Sequence, residues 1–311
     1  MSALVLGCKS TRPTARLIAH ELEADYAEIF IETDYPRPNL LVRYGNSTTM
    51  AKGTIIINSQ ESVKIAADKP TCRTWLLRNL VPCPSIWVMS WNHRTGEPEP
   101  SAPFDNGQKY IARPRYHSRG KDFNIVRSED EAREFIRHGY YLQEIVKKET
   151  EYRLFMFNGK IMEASQKVQA RANADMMIRN HRRGWNFMYV PVMKLNSKLK
   201  EACRMAAGAI DINFCAIDCC LDEAGNPWVL EINSAPGLIG RKVTALAEKI
   251  RTFVHGIENE EGPLRLDKKA LNTMRRTTPN QTKKIKKQFN YGAGASALAP
   301  FFCPFPLKGH S

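Results

Sequence analysis

The sequence predicts an α/β protein, and three observations carry the prediction. Strand-like and helix-like segments alternate over the first 80 residues. Between residues 141 and 169, three runs alternate apolar and polar side chains, and Asn158-Gly159 separates two of them. Two apolar runs, Cys215–Leu221 and Trp228–Ile232, are then joined by the turn-forming segment Asp222-Glu223-Ala224-Gly225-Asn226-Pro227.

Taken in order, Leu4–Leu6 is short and apolar enough for a first strand. Pro13 suits the first turn of a helix, because proline lacks an amide that would go unbonded there anyway, and Leu17, Ile18 and Leu22 form its stripe. Ala27–Ile31 and Ile55–Ile57 read as further strands. Two short helices are expected between Ser59 and Leu80, carrying Val63/Ala66/Ala67 and Trp75/Leu76/Leu80, until Val81-Pro82-Cys83-Pro84 withholds amide donors. Residues 91–108 are polar with three prolines and predict a loop, and Tyr110–Arg113 a strand. Ser128 with Glu131 makes a capping box for a helix that Gly139 closes. Tyr141–Val146, Tyr152–Phe157 and Lys160–Gln169 follow as strands, with Asn158-Gly159 as a hairpin turn. Leu199, Cys203, Ala206, Ala207 and Ile210 share a helix face starting near Ser197. A last amphipathic helix carries Val243, Leu246, Ile250, Phe253 and Val254 and ends near Gly256.

The 311 residues carry 46 Lys and Arg against 32 Asp and Glu, a formal charge of +14. Such an excess points to an anionic partner. It is unevenly placed, however. Residues 265–311 hold ten Lys and Arg and one acid, a local +9, which leaves +5 for residues 1–264. The last stretch has no helical or strand period and reads as an appended, partly disordered basic tail. A nucleic-acid contact through that tail is one reading of it, although no helix-turn-helix, zinc-finger or RRM pattern accompanies it. No apolar run approaches the ~18 residues of a spanning helix, so no membrane partner is expected. Eight cysteines without a CxxC pair predict reduced thiols in a cytoplasmic setting rather than a disulfide or zinc scaffold.

Asp218 and Glu231 stand in the two successive apolar strands, and Asn233 lies two residues beyond Glu231, on the same face of its strand. A hairpin gathers these three oxygen donors. Two carboxylates and an amide suit Mg²⁺, which keeps positions open for phosphate oxygens. Glu231 sits inside Val229-Leu230-Glu231-Ile232, where an unpaired carboxylate is costly to bury.

The segment Ala216 to Gly237, with Asp218, Glu231-Ile232-Asn233 and Pro236-Gly237, resembles the metal-binding signature of the ATP-grasp ligases. With the segments below, the resemblance covers roughly residues 55–255. It implies an ATP-grasp fold, two α+β subdomains clasping ATP, preceded by a small Rossmann-like α/β domain. The implied boundaries are 1–70 for that domain, 71–262 for the ATP-grasp part with a hinge near 141–151, and 263–311 for the tail. It further implies ATP and Mg²⁺ as cofactors, with Mn²⁺ as a substitute, and Asp218, Glu231 and Asn233 as metal ligands.

In that family the hinge backbone holds adenine and a following acid holds ribose. Gln143, Glu144, Ile145 and Val146 resemble that hinge, and Glu151 matches the acid, whose two oxygens can accept both sugar hydroxyl protons. Arg113 occupies a strand position where most members carry Lys, and its guanidinium can bind phosphate in a fork. Residues 115–121 resemble the loop that covers the phosphates. Lys167 and Lys69 resemble further phosphate-binding lysines. Arg153 shares the face of Glu151 and reads as an ion-pair or scaffold residue. Arg179, His181, Arg182 and Arg183 form either a solvated basic loop or, as in RimK-like members (ribosomal protein glutamate ligases), a receiver for a substrate carboxylate, with Arg182 as the implied catalytic residue beside Arg113 and Lys167. The spacing of thirteen between Asp218 and Glu231 matches the D-alanine–D-alanine ligases, but Ala216 stands where those carry Arg, which favours the RimK-like relatives. The implied activity is ATP-dependent joining of a carboxylate to an amine, borne by an amino acid, peptide or protein. A nucleic-acid-binding protein and a non-catalytic nucleotide-binding module are the alternatives.

Overall fold

The computed structural model describes residues 2–29, 37–88, 90–91, 98–99, 104, 107–116 and 122–259. The expected tail and residues 117–121 of the expected covering loop lie outside the described residues. Residues 1–255 form one unit, and of the second, 256–311, only the end of the last helix is described.

Four parallel strands open the chain: β1 Ala3–Leu6, β2 Asp25–Ala27, β3 Leu40–Arg43 and β4 Ile55–Ile57, in the order β2-β1-β3-β4. β1 and β3 are continuous runs of buried side chains from their second residue on, as a sheet covered on both faces requires. β2 stops at Ala27, short of the expected Ala27–Ile31, whose residues 30–31 lie outside the described residues. β3 was not expected, since four residues between Pro38 and Gly45 are too few to display a period. Helix α1, Arg12–Leu22, starts with Pro13 in its first turn and buries Ala15, Ile18 and Ala19, whereas Leu17 of the expected stripe is exposed. Helices α2 (Gln60–Ala67) and α3 (Lys69–Arg78) abut at Asp68, whose side chain caps α3 by accepting from the Thr71 amide.

A second, antiparallel sheet runs β5 (Ile86–Trp87), β10 (Tyr140–Glu144), β8 (Tyr110–Pro114), β9 (Asn124–Val126). Helix α4, Glu129–Arg137, covers it, and Tyr110, Ala112, Val126, Ala132, Ile136 and Leu142 form the core between them. The Ser128 hydroxyl accepts from the Glu131 amide as expected, but the Glu131 carboxylate answers to the Arg127 amide rather than to that of Ser128. Within the segment expected as loop, β6 (Ser90–Trp91) and β7 (Pro98–Glu99) pair as a short hairpin.

The third sheet is wholly antiparallel: β13 (Trp185–Val190), β12 (Lys160–Gln169), β11 (Thr150–Phe157), β14 (Phe214–Leu221), β15 (Pro227–Asn233). Asn158 and Gly159 both take positive φ, 45° and 71°, the geometry a two-residue hairpin demands. Helix α5, Ser197–Ala209, presents Ala202, Cys203, Ala206 and Ala207 to Cys215, Ile217, Cys219, Val229 and Ile232. Those small side chains let helix and sheet approach closely. On the opposite face, α6 (Arg241–Asn259) packs Val243, Leu246 and Ile250 near Phe155, Phe157, Phe214 and Ala216, and it continues three residues past the expected end.

Candidate active site

The upper part of that opposite face is charged, and the strand register explains which residues reach it. Cross-strand partners share a face. One row runs Phe187–Lys167–Glu151–Cys220–Trp228 across the five strands, and the next runs Tyr189–Ser165–Arg153–Asp218–Glu231. Asn233 faces Ala216 one row further on. The structure thus places Asp218, Glu231 and Asn233 on one face.

Strict alternation alone does not deliver this. Near the turn, Leu221 pairs with Pro227 and Cys219 with Val229, yet Asp218 pairs with Glu231, so Leu230 is the extra residue of a β-bulge. Had the turn-side register continued, Glu231 would face Ile217, on the side where Ile217, Cys219 and Val229 are core.

Each carboxylate is held by cations. Arg153 forks onto Asp218 (Nε–Oδ1 2.8 Å, Nη2–Oδ2 2.7 Å), and Lys167 approaches Asp218 Oδ1 at 3.7 Å. Lys69, the first residue of α3, reaches Glu231 Oε1 at 2.6 Å. Glu151, 4% exposed, receives Lys148 at 2.7 Å, Lys167 in a short contact, and Arg179 at 4.0 Å. Burial by itself would raise the Asp218 carboxyl, but the charges of Arg153 and Lys167 overcome it and hold the group well below the usual carboxylate range. The same pairing works in reverse on Lys167: burial would lower its pKa, and Asp218 and Glu151 raise it instead. Both groups are therefore charged at neutral pH.

Arg113 is different. Its Nε is buried with no hydrogen-bond partner, its guanidinium lies 5.8 Å from the centre of the Phe123 ring, and burial lowers its pKa. It lines a cavity of about 20 Å³ together with Lys69, Arg73, Tyr141, Gln143 and Glu231. An orphaned buried donor beside an excess of cations fits an incoming polyanion. Gln143 and Glu144 end β10, and Glu144 is anchored twice to Ser85: its amide donates to the Ser85 carbonyl and its carboxylate accepts from the Ser85 amide, both at 3.0 Å. Ile145 and Val146 follow in the link to β11. Arg115, at the start of the expected covering loop, pairs with Asp68, the cap of α3.

Arg182 is not drawn into the cluster. It is exposed on the short 3-10 turn His181–Arg183 and makes no hydrogen bond or ion pair among the described residues. From that segment Arg179 enters instead. It donates to the Lys148 and Glu149 carbonyls and stacks on Trp185 at 4.6 Å. Lys148 and the whole of β13 were missed by the sequence reading, Lys148 because it lies in a charged turn like many others.

The donor set fits a divalent cation in chemistry. Asp218 and Glu231 supply charge, and Asn233 Oδ1, which accepts from the Ala235 amide at 2.9 Å, retains a lone pair. Among the described residues no three His, Cys, Asp or Glu side chains form a metal cage. Two carboxylates and an amide suit Mg²⁺, which completes its shell with water and phosphate.

The arrangement of sheets and helices matches the fold of solved ATP-grasp ligases. Among solved structures, a D-alanine–D-alanine ligase from Bacillus anthracis superposes with a TM-score of 0.59 at 15% identity, over 84% of this chain and 99% of that one. The ATP-grasp ligase PsnB, complexed with minimal precursor, Mg and ADP, gives 0.56 at 13% identity, over 81% of this chain and 98% of that one. In sequence, the chain is 29% identical over 128 residues to a protein of Pseudoalteromonas atlantica named "Probable alpha-L-glutamate ligase 1", and 30% identical over 132 residues to a "Probable alpha-L-glutamate ligase" of Thioalkalivibrio sulfidiphilus. These matches cover 40% and 42% of this chain, and the same shares of those relatives, so the chain spans less than half their length. No family model matches the chain.

Proposed function

We propose that the protein is an ATP-dependent carboxylate–amine ligase with Mg²⁺, or Mn²⁺ in its place, held by Asp218, Glu231 and Asn233. The observation that carries the reading is the pairing of Asp218 with Glu231 on a face where five cations, Lys69, Lys148, Arg153, Lys167 and Arg179, meet the three carboxylates Glu151, Asp218 and Glu231. Held by Asp218, Glu231 and Asn233, the metal would offset the negative charge of the ATP phosphates.

The reaction proceeds in two displacements. A substrate carboxylate oxygen attacks the γ-phosphorus of ATP, ADP leaves, and an acyl phosphate forms. An amine nitrogen then attacks the acyl carbon, phosphate leaves with the bonding pair, and the nitrogen loses a proton to give the amide. Positioning and charge neutralisation supply most of the acceleration in such transfers. Arg113 and Lys167 are the groups assigned to the transferring phosphoryl oxygens, and Lys69 lies where it meets a phosphate when it leaves Glu231. Gln143 to Val146 are assigned to adenine and Glu151 to ribose. A carboxylate has about four lone-pair sites, so Glu151 keeps acceptors while its lysines fix it. Arg182, exposed and unpaired among the described residues, is assigned to the substrate carboxylate or acyl phosphate. The boundaries 1–70, 71–262 and 263–311 belong to the same reading.

The substrates are an amino acid, peptide or protein on each side. The seven described cysteines are all free, which supports a reducing, cytoplasmic setting. No described helix is long and apolar enough to cross a membrane.

The test is ADP release that requires both a carboxylate and an amine, scored by mass spectrometry of the amide across panels of amino acids and peptides. Glu231→Gln is expected to abolish it. Unchanged turnover in that variant sinks the proposal.

A further inference from the structure

The bulge at Leu230 is what turns Glu231 out of the core, and it creates a difficulty of its own. β15 is the last strand of its sheet and the bulge interrupts its ladder to β14, so backbone carbonyls there lack cross-strand donors. Buried carbonyls without donors are costly. Here both receive one side chain. Arg73, 7% exposed, donates Nη1 to the Val229 carbonyl and Nη2 to the Leu230 carbonyl, each at 2.5 Å. Among the described residues its guanidinium makes no ion pair, and besides the Cys83 thiol its partners are these two backbone carbonyls. The planar guanidinium presents donors at fixed spacing, which matches two successive carbonyls as a flexible ammonium cannot. The Val229 amide in turn donates to the Pro82 carbonyl at 2.8 Å, so both polar backbone groups of Val229 are bound from outside the sheet.

Arg73 lies on α3 one turn beyond Lys69, and residues four apart share a helix face. The same helix therefore grips the bulge backbone through Arg73 and the Glu231 carboxylate through Lys69. The sequence gives no hint of this, because an arginine in a short amphipathic helix looks like any solvated one.

We propose that Arg73 is the positioning residue of the site: by gripping the carbonyls of Val229 and Leu230 it fixes the register that sets Glu231 beside Asp218. The inference rests on reading Asp218, Glu231 and Asn233 as a divalent-cation site. Arg73 touches neither the cation nor the reacting atoms in this assignment. It acts through Glu231.

The test uses the full chain with Arg73→Met and Arg73→Lys, checked for folding by circular dichroism. Two measurements are made: a crystal structure of the variant, and Mn²⁺ binding by electron paramagnetic resonance in the presence of ADP. In Arg73→Met the Asp218–Glu231 pairing is expected to be lost, and Mn²⁺ binding to weaken about ten- to a hundred-fold, the usual cost of removing a group that orients a ligand. Arg73→Lys is expected to fall between this variant and the native chain, since one ammonium cannot serve both carbonyls equally. Should Arg73→Met fail to fold, Arg73→Lys carries both measurements. The proposal is overturned if the variant keeps Glu231 opposite Asp218, or if its Mn²⁺ affinity equals that of the native chain. Failure of the native chain to bind Mn²⁺ with ADP is a separate outcome: it defeats the cation-site reading, and the register in the variant crystal then decides the role of Arg73.

Discussion

The two faces of the five-stranded sheet are made from the same strands and solve opposite problems. On one, Leu154, Cys215, Ile217, Cys219, Val229 and Ile232 meet α5 through side chains without charge. On the other, one residue away in each strand, Glu151 and Lys167 are buried, Arg153, Asp218 and Glu231 are half-buried, and every one is ionically paired. The first face derives its stability from area removed from water. The second holds charges whose desolvation is offset by mutual attraction, an arrangement that adds little net stability but fixes position. A folding core and a reactive surface thus share one set of backbone hydrogen bonds.

The largest expected effects separate the faces by how they respond to repair. Arg153→Met strips the forked partner from the half-buried Asp218 and leaves it Lys167 and the more distant Lys69, and is expected to cost about 3 kcal/mol. Leu199→Ala on the core face is expected to cost about 2–5 kcal/mol through lost contacts and a cavity. In size alone the two are indistinguishable. Adding Asp218→Leu to Arg153→Met should recover most of the first loss while leaving no turnover, because a matched apolar pair replaces a matched ionic one. No second substitution restores Leu199→Ala in that way. Urea unfolding of the single and double variants decides the matter, and a double variant no more stable than Arg153→Met breaks the comparison.

The faces should also fail at opposite ends of the pH scale. Asp218 is held well below its ordinary pKa, so its contribution is present above about pH 4 and is lost as pH falls through and below that value. The core thiols go the other way. Burial pushes Cys72 up to about 11, and raises Cys215 and Cys219 as well. A thiol so raised contributes stability fully present below its unfolded pKa of about 8.5 and lost as pH rises toward the folded value, about 2 kcal/mol for Cys72 by pH 10. Lys167, also raised, loses its contribution only above its ordinary value of about 10.4. Urea midpoints at pH 3, 7 and 10 should therefore show an acid loss and an alkaline loss, with Cys72→Ala reducing only the alkaline one.

How much of this was legible in the sequence follows from the reach of each signal. The hairpin at Asn158-Gly159, the cap at Ser128 and the carboxylates in apolar strands are local patterns, readable within a few residues. β3 and β13 were not readable, one for its shortness and the other for lack of alternation in Trp185–Val190. Asp218, Glu231 and Asn233 were found because they lie in one hairpin, yet the bulge that makes their arrangement work has no sequence mark. Lys148 and Arg179 act on Glu151 from the turn before β11 and from the loop after β12, and Arg73 acts across more than 150 residues. Contacts of that range are decided by packing.

The smallest effect tests where the charged face ends. Phe187 closes its row, with the Arg153 guanidinium 5.2 Å and the Lys167 ammonium 5.6 Å from its ring centre. A ring face attracts such cations by about 0.5–1 kcal/mol each at partly exposed sites. Leucine keeps most of the apolar bulk and removes the π face, so Phe187→Leu should cost about 1 kcal/mol, or roughly 2–4 °C in Tm for a domain of this size. In the Arg153→Met background the same change should cost less, because one of its two cations is gone. An equal cost in both backgrounds would mean that Phe187 contributes by packing alone, and the apolar logic of the α5 face would then extend to the rim of the charged one.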